Sequence, residues 1–146
     1  MIKNTERGIT VMKKTNEVSK LAGVSKRTLQ YYDDQGLIST KRSKYNHRLY
    51  DKKALKDIWE ILLYKHMDFE LKDISQLLML SDNQKSNYLE LKKISIQKTI
   101  SELEAQMSFI SFVQNQGIPP LPADNEEMTY MECIEKLKQA TYEGRL

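Results

Sequence analysis

A chain of 146 residues with a formal net charge of +3 has room for one or two small domains around one modest core. It has no apolar run near the roughly 20 residues that cross a bilayer, no signal-peptide-like stretch in its opening MIKNTERGITVMKK, and only Cys133 for thiol chemistry, which excludes an internal disulfide or thiolate cluster. The charge is uneven: residues 1–66 carry 15 Lys and Arg against 7 Asp and Glu, a net +8, whereas 67–146 carry 8 against 13, a net −5.

A cytoplasmic protein without membrane contact is the expectation. A polyanion is expected as partner of the first half only, as against a surface charged merely for solubility. Residues 1–12 read as a flexible polar arm. TNEVSKLAGV then predicts a short helix with Thr15 as N-cap, Glu17 in its first turn, and Val18, Leu21 and Ala22 on the inward face. Gly23 supplies the turn, and Ser25 caps a second helix over about 26–34. Two short helices joined by a tight glycine turn form a helix-turn-helix pattern.

In the second helix Val24, Leu29 and Tyr32 fall inward, followed by Leu37. Lys26, Arg27, Gln30 and Tyr31 fall outward. Cations near a helix N-terminus suit phosphate, because the helix dipole there favours anions as well. Asp33 and Asp34 come at the far end. An ordinary solvated helix face is the alternative.

STKRSKYNHRLYDKK predicts a small β-hairpin, a wing, with Asn46 at the positive-φ turn position. Lys41, Arg42, Lys44 and Arg48, interleaved with Tyr45, His47 and Tyr50, suit a contact at a groove edge. His47 has no second ligand at metal spacing, so no metal is expected there. Asp51 caps a third helix whose stripe of Ala54, Leu55, Ile58, Trp59, Leu62 and Leu63 is expected to face the core, Trp59 included. A fourth helix follows in MDFELKDISQLLML, with Leu71, Ile74, Leu77 and Leu78 inward.

From Gln84 to Asn115 there is no Gly or Pro, and Leu89, Ile96, Leu103 and Ile110 recur at seven, with Ile100 and Met107 at the complementary position that Lys93 and Gln114 interrupt. Such a helix is about 50 Å long, so its stripe needs a partner: a second copy of the chain, or its own C-terminal segment. Gly117 and the prolines at 119, 120 and 122 end it. Residues 126–143 predict one more amphipathic helix with Met128, Met131, Ile134 and Leu137 spaced by three. The fold class expected is all-α with a small β wing: a winged helix-turn-helix domain, a long coiled-coil dimerisation helix and a short C-terminal helix. The segments are 1–12, 13–82, 83–117 and 118–146.

The strings NEVSKLAGVSKRTLQYYDDQGLI, RLY and FELKDISQLL resemble the MerR family of bacterial transcription regulators, closely over about 15–80 and by architecture along the long helix. That resemblance implies a dimer joined by an antiparallel coiled coil through Leu89, Ile96, Ile100, Leu103, Met107 and Ile110. It implies that Lys26, Arg27 and Tyr31 touch DNA from a helix in the major groove and Arg42 and Arg48 from the wing, on a palindromic promoter operator; the residues themselves add Ser25, Gln30, Lys44 and Tyr50 to the expected DNA-binding set. The resemblance further implies distortion of that DNA for RNA polymerase. Gln30 stands where the family usually carries Arg, Asn46-His47 replaces its usual Gly-Tyr, and Thr40 replaces its usual Pro. Metal-sensing members place cysteines near 112–124, where this chain has none. No cofactor is expected; a small organic effector, a partner protein or no ligand at all stay open. An enzyme is not expected, since no Gly-rich phosphate loop and no nucleophile–base set is present. The rivals are an architectural or recombination accessory protein with a similar wing, and a coiled-coil interaction protein whose basic half is incidental.

Overall fold

The computed structural model describes residues 11–124 and 127–146. The arm expected at 1–12 therefore lies almost wholly outside the described residues. The elements in order are β1 (Lys13–Lys14), α1 (Thr15–Ala22), α2 (Lys26–Asp34), β2 (Lys41–Arg42), β3 (Arg48–Tyr50), α3 (Lys52–His66), α4 (Leu71–Leu77), α5 (Asp82–Gln116) and α6 (Tyr130–Tyr142). The chain divides into two compact units, one ending at Lys85 and one starting at Ser86.

In the first unit, β3 is the central strand of an antiparallel sheet of order β1-β3-β2. Lys13 pairs with Tyr50 and Lys14 with Leu49 on one side; Lys41 pairs with Leu49 and Arg42 with Arg48 on the other. The β1 strand was not expected: it lies just past the arm, at the first two positions of the segment 13–82. The N-cap of α1 needs correction: it is Lys14 rather than Thr15. The Lys14 backbone N–H donates to the Glu17 carboxylate at 3.3 Å. Thr15 sits one residue inside the helix, and its hydroxyl donates to the Tyr50 hydroxyl at 3.4 Å.

The core joins α1 through α4 and the sheet: Val18, Leu29, Tyr32, Leu37, Tyr50, Ile58, Ile61, Ile74 and Leu77 are among its buried side chains. Asp51 caps α3 by accepting the Ala54 N–H at 2.9 Å. The expected stripe of α3 is rotated, however. Ile61 and Tyr64 are buried with Ala54 and Ile58, while Trp59 is 68% exposed and Leu63 is exposed. Tyr64 explains the rotation. Its ring meets Phe69 edge-on at 6.0 Å, and its hydroxyl donates to Glu60 at 2.8 Å. The helix thus turns a side toward the core that a count of aliphatic residues does not select. Burial, the bond to Glu60 and its charge push the Tyr64 hydroxyl pKa up. Glu60 also pairs with Lys85 at 2.7 Å, which fastens the start of α5 to α3.

A reciprocal pair of bonds between Ser81 and Gln84 opens α5, and Gly117 at φ 83° closes it. In the second unit α6 starts at Thr129, whose hydroxyl accepts the Glu132 N–H while Glu132 accepts the Thr129 N–H. Half-buried positions in the later part of α5 include 101, 105, 108 and 112, which lie opposite the heptad stripe at 100° per residue. On the stripe itself Ile96, Ile100, Leu103, Met107 and Ile110 are exposed, and no residue of α5 is buried. Leu89 is half-buried.

Candidate nucleic-acid interface

The turn before α2 is built from three local interactions. Gly23 adopts φ 75°, a region where a Cβ costs energy. Its N–H donates to the Ser19 carbonyl at 3.0 Å, and the Ser19 hydroxyl donates to the Val24 carbonyl at 2.6 Å. Ser25 then caps α2 through the Thr28 N–H at 3.0 Å. With Leu29 and Tyr32 buried, Lys26, Arg27, Gln30 and Tyr31 are all left exposed. Both cations stand in the first turn, where unpaired backbone N–H groups and the dipole already favour an anion.

Pairing of β1 with β3 brings further polar groups to this face. Lys14, Asn16, Lys26, Gln30, Arg42 and His47 share one open depression of about 330 Å³. Lys14 and Asn16 were not among the residues expected from the sequence. Their placement depends on a strand pair between positions far apart in the chain, for which a Lys-Lys dipeptide carries no signal. At the other end of α2, Tyr31 and Gln35 share a second depression with Lys72 and Ser75 of α4. Lys72 and Ser75 were not expected either, because their place beside α2 depends on how α4 packs against it.

The wing turns at Asn46, φ 62° as its position demands. The Ser43 hydroxyl accepts the N–H groups of Tyr45 and His47, and Arg42 donates from one Nη to the Asn46 carbonyl at 3.0 Å. Lys44 is exposed, its ammonium 5.1 Å from the Tyr45 ring centroid. Arg42 and Lys44 are therefore available to a phosphate.

One expected contact needs correction, and another residue of the set is tied to acids although it lines the same depression. Tyr50 is 0% exposed and belongs to the core between β3 and α1, so it has no surface to offer. Arg48 is held inward: its Nε meets Asp33 at 2.9 Å and its Nη2 meets Asp34 at 3.1 Å, leaving the side chain 18% exposed. Asp33 and Asp34 are thus counter-ions of the wing, not bystanders at a helix end. Burial pushes the Asp33 carboxyl pKa up. Hydrogen bonds from Thr40 (2.6 Å) and Arg48, with the charges of Arg48 and Arg42, outweigh it and hold that carboxyl below the usual range. The bond to Asp33 raises the Arg48 pKa in turn.

Chemically the face is a rigid set of hydrogen-bond donors and cations. On α2 it offers the amide of Gln30, able to donate and accept together as a base edge requires. Among the described residues no group of three or more His, Cys, Asp or Glu is arranged to hold a metal, and Cys133 is a free, half-buried thiol on α6. No helix among them is long and apolar enough to cross a membrane.

Residues 14–80 match the family profile described as MerR HTH family regulatory protein. The HTH-type transcriptional regulator CueR of Bacillus subtilis is 43% identical over 63 residues, 43% of this chain and 44% of that protein. The chain thus spans under half the length of that relative. A homologue of the HTH-type transcriptional regulator ZntR from Haemophilus influenzae is 30% identical over 95 residues, 64% of this chain and 70% of that protein. In three dimensions the N-terminal part of the Bacillus subtilis multidrug transporter activator, MtaN, superposes with a TM-score of 0.65 at 24% identity. It covers 70% of this chain and 97% of that one. At that identity the likeness is one of fold.

Proposed function

The chain belongs to the MerR family of helix-turn-helix regulatory proteins, and from that premise we propose that it is a DNA-binding transcription regulator of the cytoplasm. It acts as a homodimer on a palindromic promoter operator. One observation carries the reading: a capped helix presents Lys26, Arg27, Gln30 and Tyr31 to solvent beside the cationic depression that holds Lys14 and Arg42. Residues 13–82 form the DNA-binding part, with Ser25 and Lys44 at its margins. Arg48 orients the wing through its ion pairs with Asp33 and Asp34 and lines the same depression.

Residues 83–117 form the dimerisation helix. The exposed stripe of Ile96, Ile100, Leu103, Met107 and Ile110 supports this, since an uncovered apolar stripe on a long helix is stabilised by burial against a second one. Two recognition helices held by one dimer read two half-sites and offset the cost of bending the duplex between them, several kcal/mol in order of magnitude. RNA polymerase then meets a promoter of altered geometry. Residues 118–146 are the effector region for a small organic molecule. A cleft of about 640 Å³ lined by Met107, Phe112, Asn115, Thr141 and Tyr142 supports that assignment, and Met107 is common to cleft and stripe.

The test is fluorescence anisotropy of the full chain on DNA from upstream of its own gene, against a scrambled duplex at two salt concentrations. Preference for the upstream duplex is expected, with Arg27→Ala weakening it by about 1–3 kcal/mol. Absence of binding at low salt would sink the regulator reading.

A further inference from the structure

We propose that the cleft between α1 and α3 is a docking groove for an acidic amphipathic helix of another protein. The proposal goes beyond the DNA-binding reading and does not depend on it, because the groove shares no residue with the polar depression beside α2.

The groove is about 600 Å³, walled by Leu21, Leu55, Trp59, Leu62, Leu63 and His66. Trp59, the single tryptophan of the chain, is 68% exposed, and Leu21 is 67% exposed. Neighbouring large apolar side chains left in water mark an interaction surface more often than scattered ones do, and tryptophan is the residue that most often anchors such contacts.

Shape and charge decide what fits. Along α3 the positions 55, 59, 62, 63 and 66 recur at three and four, the spacing with which one helix meets another. They span about 16 Å of helix axis, three turns of a partner. A small-molecule pocket instead places several converging polar groups in an enclosed wall, and here the His66 ring and the Trp59 indole N–H are the only polar side-chain groups of the lining. Lys52 and Lys56 lie on the same side of α3 as Trp59, and Lys20 follows on α1 beside Leu21. None of the three is in an ion pair among the described residues. The nearby acids are occupied: Glu17 accepts the Lys14 N–H, Asp57 pairs with Lys53 and Glu60 with Lys85. An apolar floor with unpaired lysines at its rim complements a helix with apolar anchors and glutamate flanks.

The experiment uses the full chain and reads Trp59 emission. A synthetic amphipathic helical peptide, Leu and Phe on one face and Glu on the other, is titrated beside a twin carrying Lys for each Glu. The Glu peptide gives a saturable blue shift and binds about tenfold tighter than its twin, as expected from a few partly exposed charge pairs. Leu63→Glu abolishes the shift and Arg27→Ala leaves it. The double variant Lys52→Glu/Lys56→Glu changes only exposed side chains and reverses the preference between the peptides. No saturable shift, equal affinity for the twins, an unreversed preference, or displacement of the peptide by a DNA duplex overturns the proposal. So does a Leu63→Glu chain that sediments as a smaller species than wild type, which assigns this face to a second copy.

Discussion

Arg48 of the wing and Asp33 of α2 meet at 2.9 Å, although 15 positions separate them, and each side chain is only 18% exposed. Thr40 donates to the same carboxylate at 2.6 Å, and Asp34 takes the second edge of the guanidinium. Helix and wing are therefore joined by a partly buried, charge-assisted cluster, and the two elements that face the proposed DNA are held in one geometry before any DNA arrives.

Asp33→Asn tests that joint through pH. The Asp33 carboxyl pKa lies below the ordinary value of 3.8. Its stabilisation is therefore fully present above that value and is lost as pH falls through the lower folded one. Wild type is expected to keep this contribution down to about pH 4 and to lose it below. The Asn variant melts lower at neutral pH and lacks that part of the acid limb. Circular dichroism melts across pH read the difference; coincident acid limbs would remove the pair from this role.

Tyr50 separates a core residue from a DNA contact. Tyr50→Phe keeps the buried ring and gives up one long hydrogen bond with Thr15, a cost of about 0.5–1.5 kcal/mol. Tyr50→Ala leaves a cavity and costs about 3–5 kcal/mol. DNA affinity of the folded Phe variant is expected to equal that of wild type, measured by anisotropy. A large loss of affinity without loss of stability would contradict the buried assignment.

At Ser25, stability and binding come apart. Asp caps a helix as well as Ser does, so Ser25→Asp melts within a few tenths of a kcal/mol of wild type, whereas Ser25→Ala loses about 1 kcal/mol. The added carboxylate faces the same phosphates as Lys26 and Arg27. Ser25→Asp is accordingly expected to bind the upstream duplex at least about tenfold more weakly, the effect of roughly one lost charged contact. Equal affinity for Ser25→Asp and wild type would place the DNA elsewhere.

The stripe on α5 is tested by one charge. Ile100 is exposed in the single chain, so Ile100→Asp leaves the fold of the first unit untouched and places a carboxylate in the proposed dimer seam. Sedimentation equilibrium is expected to show dimer for wild type and monomer for the variant, with loss of tight binding to the palindrome. A monomeric wild type would end the dimer reading.

Much of this was legible from local chemistry. Ser25 and Asp51 stand as caps where their spacing put them. Gly23 and Asn46 take the positive φ their turns demand, and Lys26, Arg27, Gln30 and Tyr31 face solvent as their positions in one turn require. Each depends on neighbours within about four residues, so the sequence by itself determined the helix-turn-helix, the wing turn and the outward face of α2. Only the tertiary structure decided that Tyr50 is core and Trp59 is surface. It also decided that Arg48 spends its charge on Asp33, and that Lys14 joins the cationic face through a strand that no periodicity announces. Those outcomes follow from how far each helix is rotated about its own axis and which distant strand pairs with which. Both are set by non-local packing, and a spacing rule along the chain carries no term for it.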